Sequence, residues 1–283
     1  MESESPTVAL WQLARELVRL REERGLTRAE AARLVEISGA AVGRWESAER
    51  VPREKDLKHL LTEYELSEDE IVDLVQLRRQ AGKRGWWQPY SLDRQYGTFI
   101  GLEADATSIE IYESSWITGL LQTEDYAREA IKGTLSRGAP ESIEQQVEAR
   151  LNRQKRVLSD SGPQVWVIMG EAAVRQLIGG AKVMHAQLEH LLDLMDHPRL
   201  TIQVIPYTAG VHVGLRMQSF LLLELADFGL TTVYVEGHGS NLFLESDEDI
   251  LEHREIFNQL RLAGAGGDIV RSLLSSALRE VAL

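Results

Sequence analysis

The chain has 283 residues and a formal net charge of −13, with 43% hydrophobic and 27% charged residues and no cysteine. Its length allows two domains, and the missing cysteines exclude disulfides, thiolate metal sites and cysteine nucleophiles. No apolar run reaches about 18 residues, and the start, MESESPTV, lacks a basic, apolar leader; neither a membrane span nor a secretory signal is expected, and the cytoplasm is the default location.

Leu13, Leu17 and Leu20 share one face of a first helix that leaves Arg15, Arg19, Arg21 and Arg24 for solvent or phosphate and stops at Gly25. The stretch LTRAEAARLVEISGAAVGRWE (26–46) then reads as two short helices joined by a tight turn, the unit that sets a helix in the DNA major groove. Thr27 with Glu30 is a capping box, Ala32 and Val35 form an inner face, and Ile37 fills the turn. Ser38 caps the second helix, whose buried side is Val42 and Trp45. Beyond Pro52 a fourth helix carries Leu57, Leu60 and Leu61; Ser67 with Glu70 caps a fifth holding Ile71, Leu74 and Leu77. Five such helices make a bundle with its own core.

Through LVRLREERGLTRAEAARLVEIS, AVGRWE, Arg50 and Pro52, residues 10–66 resemble the Xre (lambda-repressor-like) helix-turn-helix domain. Three positions depart from its pattern. Arg28 stands where the family usually has Gln, Glu36 replaces the turn glycine, and Ala48 replaces the glycine after the recognition helix. A left-handed backbone at the latter two costs a non-glycine residue about 1–2 kcal/mol, so those turns are expected to be strained or reshaped but present. The resemblance implies that Ser38, Gly39, Ala40, Ala41, Gly43, Arg44 and Ser47 face base edges. Small side chains cannot make bidentate contacts, so Arg28 and Arg44 are expected to read guanine, each for roughly 1–3 kcal/mol. Thr27, opening its helix, Arg50 and Lys55 are phosphate candidates. The competing reading of Arg44 is an ion pair on a solvated face. Residues 1–84 carry 15 basic and 17 acidic side chains, and residues 15–58 carry 11 and 9. Such a near-neutral surface binds DNA weakly through counterion release, so a homodimer on a palindrome of double-stranded DNA is expected.

Residues 85–283 carry the remaining net charge of −11, which favours a protein or small-molecule partner over nucleic acid. The boundary falls at AGKRGWWQPY, where Trp86 and Trp87 are either a hinge plug or part of the second core. Residues 103–160 read as mainly helical, with Thr123 capping a start rich in acids and Glu141–Leu158 presenting Ile143, Val147, Leu151 and Leu158 on one face. QVWVIM, RLTIQVIPY, QSFLLLEL and TTVYVE are expected strands, and NLFLE a fifth. Helices are expected over EAAVRQLIG, ended by glycine, and over Val183–Met195. Another, capped by Ser246, carries Ile250, Leu251, Ile256 and Leu260, and the last spans about Ile269–Arg279. The whole is α+β: an all-α bundle followed by a larger α/β domain whose mixed sheet is flanked by helices.

The runs GLEADATSIEIYES, GLLQTEDYAR, EARLNRQ, VWVIMGEAAVRQLIGG, QLEHLLDL, IQVIPYTAGVHVG and TVYVE resemble the C-terminal domain of actinobacterial WhiJ-type regulators. That resemblance implies a transcriptional regulator of development or secondary metabolism whose partner is a small protein encoded by an adjacent gene. Gly170-Glu171 stands where the family commonly has Asp-Glu, which removes any role for the first acid. As a ligand or partner site, the loop TAGVHVGLR brings His212 between Gly210 and Gly214 at a strand end, with Glu236 and His238 placed to converge on it; a solvated loop is the plainer reading. Ser240 lacks a GxSxG elbow, AGAGGD joins two helices and fails as a dinucleotide motif, and the histidines lack metal spacing. Arg150 and Arg153, on a helix with acids nearby, read as a solvated, salt-bridged face in preference to an anion site. No enzyme, metal or cofactor is expected. The reading is a DNA-binding regulator whose second domain senses a small-molecule effector or a partner protein. Its rivals are an antitoxin-like binder that meets DNA as a complex and an enzyme with a DNA-binding appendage.

Overall fold

In a computed structural model, residues 5–90, 92–134, 140–237 and 241–281 are described. The chain divides into two units, Met1–Gln88 and Pro89–Leu283, which puts Trp86 and Trp87 in the first.

The first unit is built from α1 (Pro6–Glu23), α2 (Arg28–Leu34), α3 (Gly39–Glu46), α4 (Glu54–Glu63) and α5 (Glu68–Ala81). The Thr27 hydroxyl accepts the Glu30 N–H while the Glu30 carboxylate accepts the Thr27 N–H at 2.8 Å; Ser67 and Glu70 repeat the exchange at α5. Ser38 accepts the Ala41 N–H at 3.2 Å and starts α3. Helices α1 to α4 all close with the same six-residue ring, from Leu26 to the Arg21 carbonyl, Ile37 to Ala32, Glu49 to Arg44 and Leu66 to Leu61. Each ring needs a left-handed residue, supplied by Gly25 (φ 64°), Glu36 (φ 53°), Ala48 (φ 51°) and Glu65 (φ 58°). The two glycine replacements thus keep the turns and bear the backbone cost; Glu65 is a third case that the sequence pattern did not flag. Leu26, Ile37 and Leu66 pack on the core after their turns, whereas Glu49 holds that place after α3 and is exposed. The core joins Leu13, Leu17 and Leu20 to Val42, Trp45, Leu57, Leu60 and Leu61.

The second unit opens with α6 (Arg94–Glu103), started by the Asp93 carboxylate on the Tyr96 N–H. Strand β1 (Ser108–Glu113) follows, then α7 (Glu124–Thr134), α8 (Pro140–Val157), β2 (Gln164–Gly170), α9 (Glu171–Arg175), α10 (Ala181–Leu194) and β3 (Leu200–Ile205). Antiparallel strands β4 (Phe220–Leu225), β5 (Leu230–Val235) and β6 (Leu242–Leu244) precede α11 (Asp247–Ala263) and α12 (Gly267–Glu280). The sheet order is β3-β2-β1-β4-β5-β6, parallel across the first three and antiparallel beyond β1, which gives the expected mixed sheet with flanking helices.

Strand β1 corrects the helical reading of residues 103–160: it is central, paired with both β2 and β4. On one face of the sheet Tyr112, Phe220, Leu222 and Val233 meet Ile256, Phe257 and Leu260 of α11. Leu251 of the same helix is exposed. Facing the other way, Tyr234 stacks on Phe99 of α6 with ring centroids 4.3 Å apart. Helix α9 ends at Arg175, well before Gly179. The glycine-rich turn between α11 and α12 lets Ala265 exchange two backbone hydrogen bonds with Val204 of β3, a structural reason for that run. Among the described residues no helix is long and apolar enough to cross a membrane.

Candidate nucleic-acid interface and a polar cavity

The capped start of α3 gives the first unit its outward face. Ser38, Ala40, Arg44 and Ser47 are exposed, Gly39, Ala41 and Gly43 half-buried, and Val42 and Trp45 buried on the opposite side. A Cβ added at Gly39 would meet Ala29 at an ordinary 3.5 Å, so packing does not demand glycine there. Arg44 forms no ion pair with a described residue, against the solvated-pair reading, and Thr27, Arg50 and Lys55 are also exposed.

Arg28 is tied down. Its Nε donates to Glu46 Oε2 at 2.7 Å while its side chain stays 56% exposed. The Glu46 carboxylate, 1% exposed, also accepts from Arg21 Nε at 2.6 Å, and Arg21 Nη1 donates to the Leu26 carbonyl at 2.8 Å. Hydrogen bonding to Glu46 holds the Arg21 guanidinium above its usual range. Arg24 donates to the carbonyls of Tyr64 and Leu20 and lies over the Tyr64 ring. Arg21 is therefore structural and does not serve solvent or phosphate, because its side chain turns inward onto Glu46 of α3; Arg24, held by those carbonyls, stays exposed as its position predicts.

The second unit encloses a polar cavity of about 80 Å³ between the ends of β1 and β5, α7 and α8, whose walls include Glu113, Gly119, Arg150, Arg153, Tyr234 and Glu236. Arg153 is buried, not solvated as its helical pattern suggested. Its Nη2 donates to Glu103 Oε1 at 2.8 Å, its Nε to the other oxygen and its Nη1 to the Tyr96 hydroxyl at 3.3 Å. Burial opposes the charge of Arg153, but Glu103 and Tyr96 more than offset it and hold the guanidinium above its usual range. Arg150 donates through Nη1 to the amide oxygen of Gln122 at 2.6 Å, and its buried Nε has no partner. The Tyr234 hydroxyl is likewise buried without a partner, and burial raises its pKa. Glu113 accepts from Trp116 Nε1 at 3.0 Å, yet burial pushes its carboxyl up to about 7 against that bond and the Ser219 hydroxyl.

Two family comparisons bear on these surfaces. A helix-turn-helix domain family matches residues 12–74, which makes the chain a DNA-binding regulator with DNA as a partner. Residues 96–276 match the family described as Domain of unknown function (DUF5753), well over half of the chain. The chain belongs to the DUF5753 family. No curated protein and no solved structure matches it.

Within the DUF5753 domain, His212 lines a different cavity of about 360 Å³ with Tyr112, Ser114, Glu171, Tyr207 and Met217. Its Nδ1 is buried without a partner. Glu236 does not join it: Tyr234 and Glu236 share one face of the β5 line, opposite Val233 and Val235, and border the Arg150 cavity. His238 and Ser240 lie outside the described residues. A Cβ at Gly170 would lie 2.4 Å from the Ser114 carbonyl oxygen, so the first acid of an Asp-Glu pair has no room there. Glu171 pairs with Arg175 and accepts the Tyr207 N–H at 2.7 Å. In the first unit, Trp87 is buried edge-on to Trp86, and a Cβ at Gly85 would meet its ring at 2.5 Å. Among the described residues no group of carboxylates and histidines suits a metal ion.

Proposed function

We propose that the protein is a transcriptional regulator of the Xre type with a WhiJ-like second domain, acting in development or secondary metabolism. In this reading it binds an inverted-repeat operator as a homodimer and has no enzymatic role. The observation that carries the proposal is the exposed, capped start of α3 with Arg44 free of any described ionic partner. Small side chains at Gly39, Ala40 and Ala41 let the backbone come close to the groove floor, where Ala40 meets thymine methyl groups and DNA shape adds discrimination. Arg44 supplies the guanine contact. Arg28, aimed by Glu46, presents the rest of its guanidinium beside it. The amides that open α2 at Thr27, with Ser38, Gly43, Ser47, Arg50 and Lys55 around the helix pair, set register on the sugar-phosphate backbone.

The DUF5753 domain, in this proposal, dimerises and takes its signal from a small-molecule effector. A ligand that favours one spacing of the two recognition helices by about 2–3 kcal/mol is a sufficient switch, while equal affinity for both spacings shifts nothing. Binding to DNA selected from a random pool, by gel shift, tests the reading surface. Arg44→Ala is expected to weaken binding by about 1–3 kcal/mol, roughly 5- to 150-fold, with the helical circular dichroism intact; undiminished binding removes Arg44 and with it the proposed face.

The net charge of −2 over residues 1–84 supports a second reading, in which the chain is an antitoxin-like binder of the small protein encoded by an adjacent gene. It requires tight DNA binding only after that protein is added.

A further inference from the structure

We infer that the cavity between β1, β5 and α8 is a binding site for a small carboxylate bearing a second polar group that donates a hydrogen bond, a molecule of the hydroxy-acid or amino-acid class. The size fits: at about 80 Å³ it has room for roughly five water-sized bodies, hence a compact molecule of a few heavy atoms.

The charge balance within the walls points to an anionic group. Arg153 is neutralised by the two oxygens of Glu103. Arg150 meets only the neutral Gln122 amide in its described contacts and keeps a buried Nε without a partner. Tyr234, 1% exposed, adds a hydroxyl without a partner. A buried donor left unpaired costs the full desolvation of that group, so two of them lining one cavity mark unfilled capacity for an acceptor. Gly119 keeps the guanidinium edge open, since a Cβ there would sit 3.4 Å from Arg150 Nε and 3.3 Å from Arg153 Nη1.

The opposite wall asks for a donor. Glu113 is enclosed, with Trp116 Nε1 and the Ser219 hydroxyl as donors that leave further lone pairs on its carboxyl, and exposed Glu236 stands at the rim. These two carboxyls also decide between anions. A phosphate dianion would face both of them with one uncompensated guanidinium in return, whereas a carboxylate with a hydroxyl or ammonium uses both walls. The side chains come from GLEADATSIEIYES, GLLQTEDYAR, EARLNRQ and TVYVE, runs far apart in the sequence that the sheet brings together at one rim.

The effect of such a ligand on DNA rests on the effector reading above, but the binding test omits DNA, so the two fail separately. Thermal unfolding of the full chain at constant ionic strength is followed in glycolate, L-serine, propionate and inorganic phosphate. A saturable rise of several degrees in Tm with glycolate or L-serine is expected, at least tenfold weaker in half-saturation with propionate, and absent with phosphate. Tyr234→Phe and Gly119→Ala, chosen to keep the charges and the fold, should each weaken the response at least tenfold. No saturable shift with glycolate or L-serine, a phosphate response as strong as theirs, propionate equal to glycolate, or a response unchanged in both variants overturns the assignment.

Discussion

Arg21 in the first unit and Arg153 in the second are both enclosed arginines held by a carboxylate, Glu46 and Glu103, and their surroundings part company from there. Around Arg21 the pair is a junction: Glu46 gathers arginines from α1 and from the start of α2, and the Leu26 carbonyl takes a remaining donor. Around Arg153 the pair is a wall, with Arg150 Nε, the Tyr234 hydroxyl and a crowded Glu113 beside it. The same ionic chemistry clamps helices in one place and walls a cavity in the other. What separates them is whether neighbouring polar groups find each other.

Removing the carboxylates tests that contrast most severely. Glu46→Ala strands Arg21 without a counter-charge and is expected to cost about 3–5 kcal/mol in denaturant unfolding; Glu103→Ala should cost a similar amount. A loss below about 1 kcal/mol at Glu46 would mean that the junction is ornamental. Next in size is Glu113. Its folded pKa of about 7 lies above the ordinary carboxyl value of 4.5, so the folded state holds its proton longer than the unfolded chain. Stability contributed at this site therefore falls as pH rises from about 4.5 to about 7 and levels beyond, a loss of about 3 kcal/mol. Glu113→Gln should abolish the fall and exceed the wild type in stability at pH 8; parallel pH profiles for the two proteins would contradict the burial argument. The smallest effect concerns the turn after α3. Ala48→Gly relieves left-handed strain at the expense of chain entropy, for a net gain under about 1 kcal/mol, and a measured loss would show that the ring closes without strain.

The same contrast explains what could be read from the sequence. Helix starts in the first unit were legible because a cap is local: Thr27 and Glu30, or Ser67 and Glu70, carry their partner three residues away. The left-handed turns at Glu36 and Ala48 were legible against a family pattern, and Glu65 was not. Strand β1 was missed because SIEIYE puts carboxylates at Glu110 and Glu113 in the middle of a sheet, where composition argues for a helix. Arg150 and Arg153 were misread for a related reason. On a charged helix their spacing looks solvated, and only the long-range contact with Glu103 and the strand ends reveals that the face turns inward. Arg21 hid in the same way behind its partner Glu46, 25 residues on. The His212 loop was rightly placed at a strand end, but strand alternation sends Glu236 to the other side of the sheet.

That alternation has a mechanical side at the tip of β1. Tyr112 and Ser114 border the chamber of His212 while Glu113, between them, borders the one of Arg150, so a single thickness of main chain is the partition. The Tyr112 hydroxyl donates to the Gly214 carbonyl at 3.0 Å, pinning the His212 loop to the same partition. A guest held at Glu113 would thus rest on the same strand that anchors that loop, and the two chambers share one wall.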